Sequence, residues 1–370
     1  MAVDELSPGE LIAKLSSAPE LSERPWTVRW DALDEPVEEV LTRLLPPETE
    51  FSTSGSTGRP RLWLRTREQL MDEGRLLAGL LRGARPEALV SFAPPRHVYG
   101  MLASVLVPAH LGVPAWYVPQ FAPLPPRDHR RWAVMAIPWT FRVLRQRTAW
   151  LDTAERLAFV HSTAVLPQSA GDLLSLLGER ASLTEVFGST ETGGVAHREW
   201  SPGDPPWRLF PDVGFGHGPD LPGREAPLVV RSPRIARPRT GAAVTECRMD
   251  DHVVRLDDRS FAFAGRRTRL VNVNGRRLDL DLMEERLAGV LECDDLACVP
   301  VRDPLTGEHF DLLIVPAAAG PPGAEELRNA LDRIEYRPRS VRAVERIDRS
   351  ETGKLRRVQP ARARPEGVDR

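Results

Sequence analysis

Cysteine is scarce in this 370-residue chain, with only Cys247, Cys293 and Cys298 present. An odd, sparse set argues against a disulfide framework and for a reducing compartment. Cys293 and Cys298 lie close in sequence, but no second Cys/His pair accompanies them, so the zinc-ligand pattern is missing. Neither charge sign is in excess: 50 basic residues stand against 52 acidic ones, a formal net charge of -2. That balance gives nucleic acid and anionic membrane nothing to hold. No apolar run approaches membrane-spanning length, and the N-terminus MAVDELSPGELIAKL is amphipathic and acidic, unlike a signal peptide. The expectation is a cytoplasmic protein. Lysine is also rare beside arginine, which makes an isolated lysine informative.

What is present is a globular composition, 41% apolar and 28% charged with mixed signs. The length suits two or three domains. Helices are expected from Pro8 to Leu15 and from Pro36 to Leu45, where Pro46 and Pro47 stop the second. A further helix begins at Thr66, with Gln69 completing a capping box, Leu70, Leu77, Leu80 and Leu81 on its buried face and Gly83 closing it. From Ala88 onward short apolar strands (ALVSFA, VPAWYV, 132–137, 157–161, 183–187) alternate with helices at 101–111, 141–147 and 170–177. That alternation predicts an α/β fold with a largely parallel sheet, whose ligand sites lie in loops at the carboxyl ends of strands. The polar loops at 52–58, 94–100, 161–167 and 187–193 are therefore the places to look for chemistry. After Trp200 a small β-rich module is expected, with a hairpin near Asp258, and beyond Arg266 a compact α+β unit. The predicted domains are residues 1–266 and 267–370.

The segment Thr53-Ser54-Gly55-Ser56-Thr57-Gly58 offers backbone N–H groups and hydroxyls to an anion. It lacks the Gly-Lys-Ser/Thr ending of a Walker loop, and taken alone it reads first as a flexible loop. Phe187-Gly188-Ser189-Thr190-Glu191-Thr192-Gly193 follows a strand and combines an aromatic for a purine, a hydroxyl for phosphate and a carboxylate for Mg2+. Lys354, on the glycine turn Ser350-Glu351-Thr352-Gly353-Lys354, supplies a compact positive charge. In isolation Glu191 reads as a surface carboxylate and Asp251 as a turn residue.

The strings TSGSTGRPR, FGSTETG, GRRTRLVNVNGRRL and IDRSETGKLRR stand in this order, with HVYGM and LVVRSP between. In order and approximate spacing the chain resembles the acyl-CoA synthetase, adenylation-domain and luciferase superfamily over roughly residues 50 to 358. The resemblance implies a large N-terminal domain and a small, mobile C-terminal one. It implies ATP-dependent formation of an acyl-adenylate with release of pyrophosphate, then transfer of the acyl group. Thr53, Ser54, Gly55, Ser56, Thr57 and Gly58 would wrap the β- and γ-phosphates. Phe187, Gly188 and Ser189 would lie along adenine, as would the small-residue loop Ser162-Thr163-Ala164. Thr190 would meet the α-phosphate, Glu191 Mg2+, Asp251 the ribose hydroxyls and Arg266 the ribose or phosphate. Lys354 would be the catalytic lysine, and His97 would stand beside the acyl pocket, where a structural role is an equal alternative.

HVYGM carries no aspartate for a substrate ammonium, which argues against a free α-amino acid. The expected substrate is a small aromatic carboxylic acid resembling hydroxybenzoate, and the acceptor a phosphopantetheine thiol of CoA or of an acyl carrier protein. The loop begins early in the chain, so part of the family's N-terminal region is expected to be replaced by a homodimer contact or a partner chain. Arg61 stands where the family has lysine, Thr268 at its hinge and Asn272 at a later lysine. The competing readings are a degenerate subunit that binds nucleotide or acyl-adenylate without turnover, and a ligase with an amine or hydroxyl acceptor.

Overall fold

The computed structural model describes residues 3–53, 61–120, 122–217, 223–266, 269–273, 276–303, 307–317, 320–332, 334, 337–349 and 355. The chain opens with β1 (Asp4–Leu6), α1 (Pro8–Ser17), β2 (Trp26–Arg29) and α2 (Val37–Leu44). A hairpin of β3 (Glu48–Thr53) and β4 (Arg61–Thr66) then leads into α3 (Arg67–Leu81). Thr66 and Gln69 form the expected capping box at the start of α3. Gly83 does not close that helix: it stops at Leu81, a short 3-10 turn follows, and Arg85 takes the left-handed conformation at φ 48°.

Next come β5 (Ala88–Ser91), α4 (Val98–Met101), α5 (Val107–Leu111) and β6 (Pro114–Tyr117). Leu102–Leu106, between the two helices, is a π-helical turn. Pro108 has no N–H to donate to the helical ladder, and a wide turn just before it spares that bond. The alternation continues through β7 (Arg131–Ala136), α6 (Pro138–Arg145), α7 (Thr148–Leu151), β8 (Arg156–His161), α8 (Gln168–Leu177), β9 (Ala181–Ser189) and β10 (Gly193–Glu199). The β-rich part holds β11 (Trp207–Leu209), β12 (Gly214–Phe215), β13 (Glu225–Arg231), β14 (Arg237–Pro238), β15 (Glu246–Arg255) and β16 (Ser260–Arg266).

These strands build a 13-stranded sheet in the order β1-β2-β6-β5-β7-β8-β9-β10-β11-β16-β15-β13-β12. Its middle, β6-β5-β7-β8-β9, is parallel, as the strand–helix alternation predicts. The β-rich part is hydrogen-bonded onto the same sheet through the antiparallel pair β9–β10. A separate sheet of β14, β4 and β3 carries the hairpin that starts at Glu48.

One apolar cluster runs from Leu6 to Phe261 and fills both faces of the parallel strands. A second runs from Val271 to Ile334. It is built by β17 (Leu270–Val273), β18 (Arg276–Asp279), α9 (Leu280–Ala288), β19 (Cys293–Asp303), β20 (Gly307–Pro316) and α10 (Ala324–Asp332), with β21 (Val341–Ala343) paired to β20. Among the described residues no helix is long and apolar enough to cross a membrane.

Candidate active site

The carboxyl ends of β8 and β9 bring two of the expected loops together. Ser162 Oγ donates to Val186 O at 2.9 Å, which ties the loop after β8 to the strand entering the second motif. Thr163 stands at φ 88°, a conformation that a β-branched residue seldom adopts. Such strain is held where the surroundings over-determine the backbone, and it collects at functional loops. Ala164 is exposed.

The turn between β9 and β10 is closed by its own side chains. Ser189 N donates to Thr192 Oγ1 at 3.1 Å, and Thr192 N donates to Ser189 Oγ at 3.3 Å. Thr192 Oγ1 also donates to Gly193 O at 3.0 Å. This reciprocal bonding spends Ser189 and Thr192 on the turn and leaves Thr190 and Glu191 at its tip, both half-buried. Among the described residues nothing pairs with the Thr190 hydroxyl or the Glu191 carboxylate. The Glu191 carbonyl is fixed instead, accepting from Ala236 N at 2.7 Å. Gly188 allows the strands to close here, because a Cβ at that position would lie 2.2 Å from Gly193 O.

Phe187 is half-buried in an aromatic group, its ring centroid 5.4 Å from Trp207, 5.8 Å from Phe261 and 6.0 Å from Phe263. Asp251 is buried and sits directly opposite Arg266 in the β15–β16 ladder. His97 occupies the N-cap position of α4, without a side-chain bond to the helix start, and is half-buried. Its neighbour Tyr99 is buried and donates to Val160 O at 2.8 Å, so the HVYGM helix is anchored to the end of β8.

Thr53 ends β3 and pairs with Arg61 across the hairpin. Ser54, Gly55, Ser56, Thr57, Gly58, Lys354 and the Thr53 and Arg266 side chains lie outside the described residues. The structure therefore brings Ser162, Thr163, Ala164, Phe187, Gly188, Ser189, Thr190 and Glu191 to one edge of the sheet, with Asp251 across the β-rich part.

Behind the turn lies a buried charged group. Glu73 on α3 is buried, with Oε2 2.6 Å from Arg65 Nη2 and 3.5 Å from Arg234 Nη1. Burial alone would raise its carboxyl, but the flanking guanidiniums outweigh that and hold it below the usual carboxylate range. A signal was present in the sequence: Arg65 interrupts the apolar strand RLWLRT, and Glu73 falls on the stripe of Leu70 and Leu77. A charge on a buried stripe marks a built ion pair.

Residues 51–229 match the model of the AMP-binding enzyme family. A 4-coumarate–CoA ligase of Cereibacter sphaeroides is 32% identical over 171 residues, covering 45% of this chain and 40% of that protein. Another from Halorhodospira halophila is 29% identical over 322 residues, covering 82% of this chain and 74% of that protein. Among solved structures, ATP-bound MatB from Rhodopseudomonas palustris matches with a TM-score of 0.67 at 17% identity, over 83% of this chain and 66% of that one. The chain thus spans less than half of the first relative. The matched segment starts two residues before Thr53 and contains the Ser162 loop, Phe187, Thr190 and Glu191. Residues 51–229 of this chain, just under half of it, are therefore similar to the AMP-binding enzyme family.

Proposed function

We propose that this chain activates a small carboxylic acid with ATP and passes the acyl group to a phosphopantetheine thiol. The observation that carries the reading is the β9–β10 turn. Its hydroxyl and carboxylate, Thr190 and Glu191, are held at the carboxyl end of a parallel sheet with no described partner, inside the AMP-binding match. In the first step a carboxylate oxygen attacks the α-phosphorus, the α–β phosphoanhydride bond breaks and pyrophosphate leaves. In the second the thiol sulfur attacks the acyl carbon and AMP leaves.

Thr190 would donate to the α-phosphate, and Lys354 would bridge carboxylate and α-phosphate as negative charge gathers between them. Phe187 would flank adenine with Gly188, Ser189 and the Ser162–Ala164 loop, while Asp251 and Arg266 would serve the ribose. The Thr53–Gly58 segment would hold the β- and γ-phosphates. His97, beside the anchored Tyr99, would line the path to the acyl group. Among the described residues no three His, Cys, Asp or Glu side chains converge on a metal position. A Mg2+ ion resting on Glu191 and phosphate oxygens fits that donor set, because Mg2+ is usually held by one or two carboxylates and substrate phosphates. Its chemistry would be to neutralise the departing pyrophosphate.

The acid we propose is aromatic and hydroxybenzoate-like. Two relatives named for 4-coumarate, itself an aromatic acid, support that choice, as does the lack of an acidic residue in HVYGM. CoA and a carrier protein remain the two acceptors to compare. We also propose that the chain divides between residues 266 and 267. The separate apolar clusters ending at Phe261 and beginning at Val271 support this division.

Acid-dependent exchange of labelled pyrophosphate into ATP tests the reading across aryl, acyl and amino acids. At least one aryl acid should support exchange, and Lys354→Ala should lower it by a factor of about a hundred or more. Nucleotide binding without exchange for any acid would sink the ligase reading.

A further inference from the structure

The charged group behind the β9–β10 turn holds that turn by its backbone. Glu73 Oε1 accepts the Gly194 N–H at 2.7 Å, and Arg234 Nη2 donates to Gly194 O at 2.8 Å. Both polar groups of one peptide residue, immediately after the turn, are therefore gripped by side chains from elsewhere in the chain. Arg234 is held in turn by Asp212, at 2.6 Å from Nε and 3.0 Å from Nη2. Arg65 Nη2 donates to Arg234 O at 3.2 Å. Gly193 fits against this group only without a side chain: its φ is 69°, and a Cβ would lie 2.6 Å from Glu73 Oε2 and 2.8 Å from Arg65 Nη2.

The arrangement is expensive as packing. Arg65 and Arg234 are both fully buried. Arg65 Nε, Arg65 Nη1 and Arg234 Nη1 have no hydrogen-bond partner among the described residues. Buried ion pairs are often matched or bettered in stability by apolar side chains of similar volume, so stability alone does not account for this group. What it does uniquely is join elements. Arg65 belongs to β4, whose far end at Arg61 pairs with Thr53. Glu73 belongs to the next helix, and Arg234 to the segment whose Ala236 N holds the Glu191 carbonyl.

We infer that Glu73 is a positioning residue which, with Arg65 and Arg234, registers the Thr190–Glu191 turn against the hairpin carrying Thr53. The turn and the Thr53 end of β3 then keep a fixed separation. The inference rests on the function proposed above.

The test pairs Arg65→Met with Glu73→Met in the full chain, so that no unpaired charge is left between those positions. Calorimetric titrations with Mg-ATP and with AMP are compared, because AMP lacks the β- and γ-phosphates. Mg-ATP should bind about tenfold more weakly, the scale seen when outer-shell partners of a metal ligand are removed, while AMP binding stays within about twofold. Equal weakening of both, or no weakening of Mg-ATP, overturns the inference. Should the double variant not fold, Glu73→Gln keeps an acceptor for Gly194 N–H but removes the charge and turns an NH2 donor toward the Arg65 guanidinium. It should weaken Mg-ATP about threefold and leave AMP unmoved, and an unchanged Mg-ATP affinity overturns the inference. A wild-type chain that binds no Mg-ATP sinks this inference together with the proposed function, whereas normal wild-type binding and unmoved variants sink the inference alone.

Discussion

His161 ends β8 with its ring buried and tilted against Phe141 at 5.7 Å, its Nε2 without a hydrogen-bond partner among the described residues. Burial pushes its pKa from 6.5 to about 3, so the native state keeps the ring neutral. Between those values the unfolded chain binds a proton that the native chain refuses. Stability is therefore unaffected above pH 6.5 and falls as the pH drops below it. At pH 5 this one group should cost about 2 kcal/mol. Urea unfolding at pH 7 and pH 5 should show that loss in the wild type and a correspondingly flatter response in His161→Leu. Identical pH responses would mean that the ring is not the group refusing the proton. Single residues of this kind were the least legible in the sequence. His161 is one of eight histidines, and only the packing of α6 against β8 makes it a buried base.

Elements were far more legible, because periodicity and caps act locally. The parallel strands were recognisable from their apolar runs, and α3 from Thr66, Gln69 and its leucines. The hairpin β3–β4 and strand β10 carry no such local signal. β3 reads ETEFST, too polar for a strand signal, and β10 opens on two glycines, which have low strand propensity. Pairing with neighbours, together with the buried Val195 and Ala196, overrides those preferences. The cap of α3 has a second use. Gln69 Oε1 accepts from Thr66 N at 3.0 Å, and its Nε2 donates to Pro233 O at 3.0 Å and Ile235 O at 2.9 Å. Thr66→Ala removes one cap acceptor and should lower unfolding free energy by about 1 kcal/mol. Gln69→Ala removes three bonds and should cost about 2 to 3 kcal/mol, since the carbonyls of the Pro233–Ile235 segment lose their donor as well. Denaturant titrations of both variants separate the two roles, and equal losses would reduce Gln69 to a cap residue.

At the scale of the molecule, the two larger apolar clusters raise the question of how strongly their elements depend on each other. The described contacts across the proposed division are thin and partly repulsive. Arg142 Nη1 reaches Asp294 O at 3.5 Å. Glu285 on α9 has its carboxyl pushed up by burial and then by the like charges of Asp204 and Glu185, against the opposing Arg198 and Arg286. Such a junction adds little to the stability of either side, so a protein ending at Arg266 should fold on its own core. It should retain Phe187, Asp251 and the Thr190–Glu191 turn, and hence AMP affinity within about threefold of the full chain. It lacks Lys354, and its acid-dependent pyrophosphate exchange should fall by a factor of about a hundred or more. Titration with AMP and the exchange assay on the same preparation decide the matter. Undiminished exchange would remove Lys354 from the proposed chemistry, while an aggregated product would show that the larger cluster needs the smaller one. Retained AMP binding with lost exchange would place nucleotide recognition and adenylate formation on opposite sides of the division.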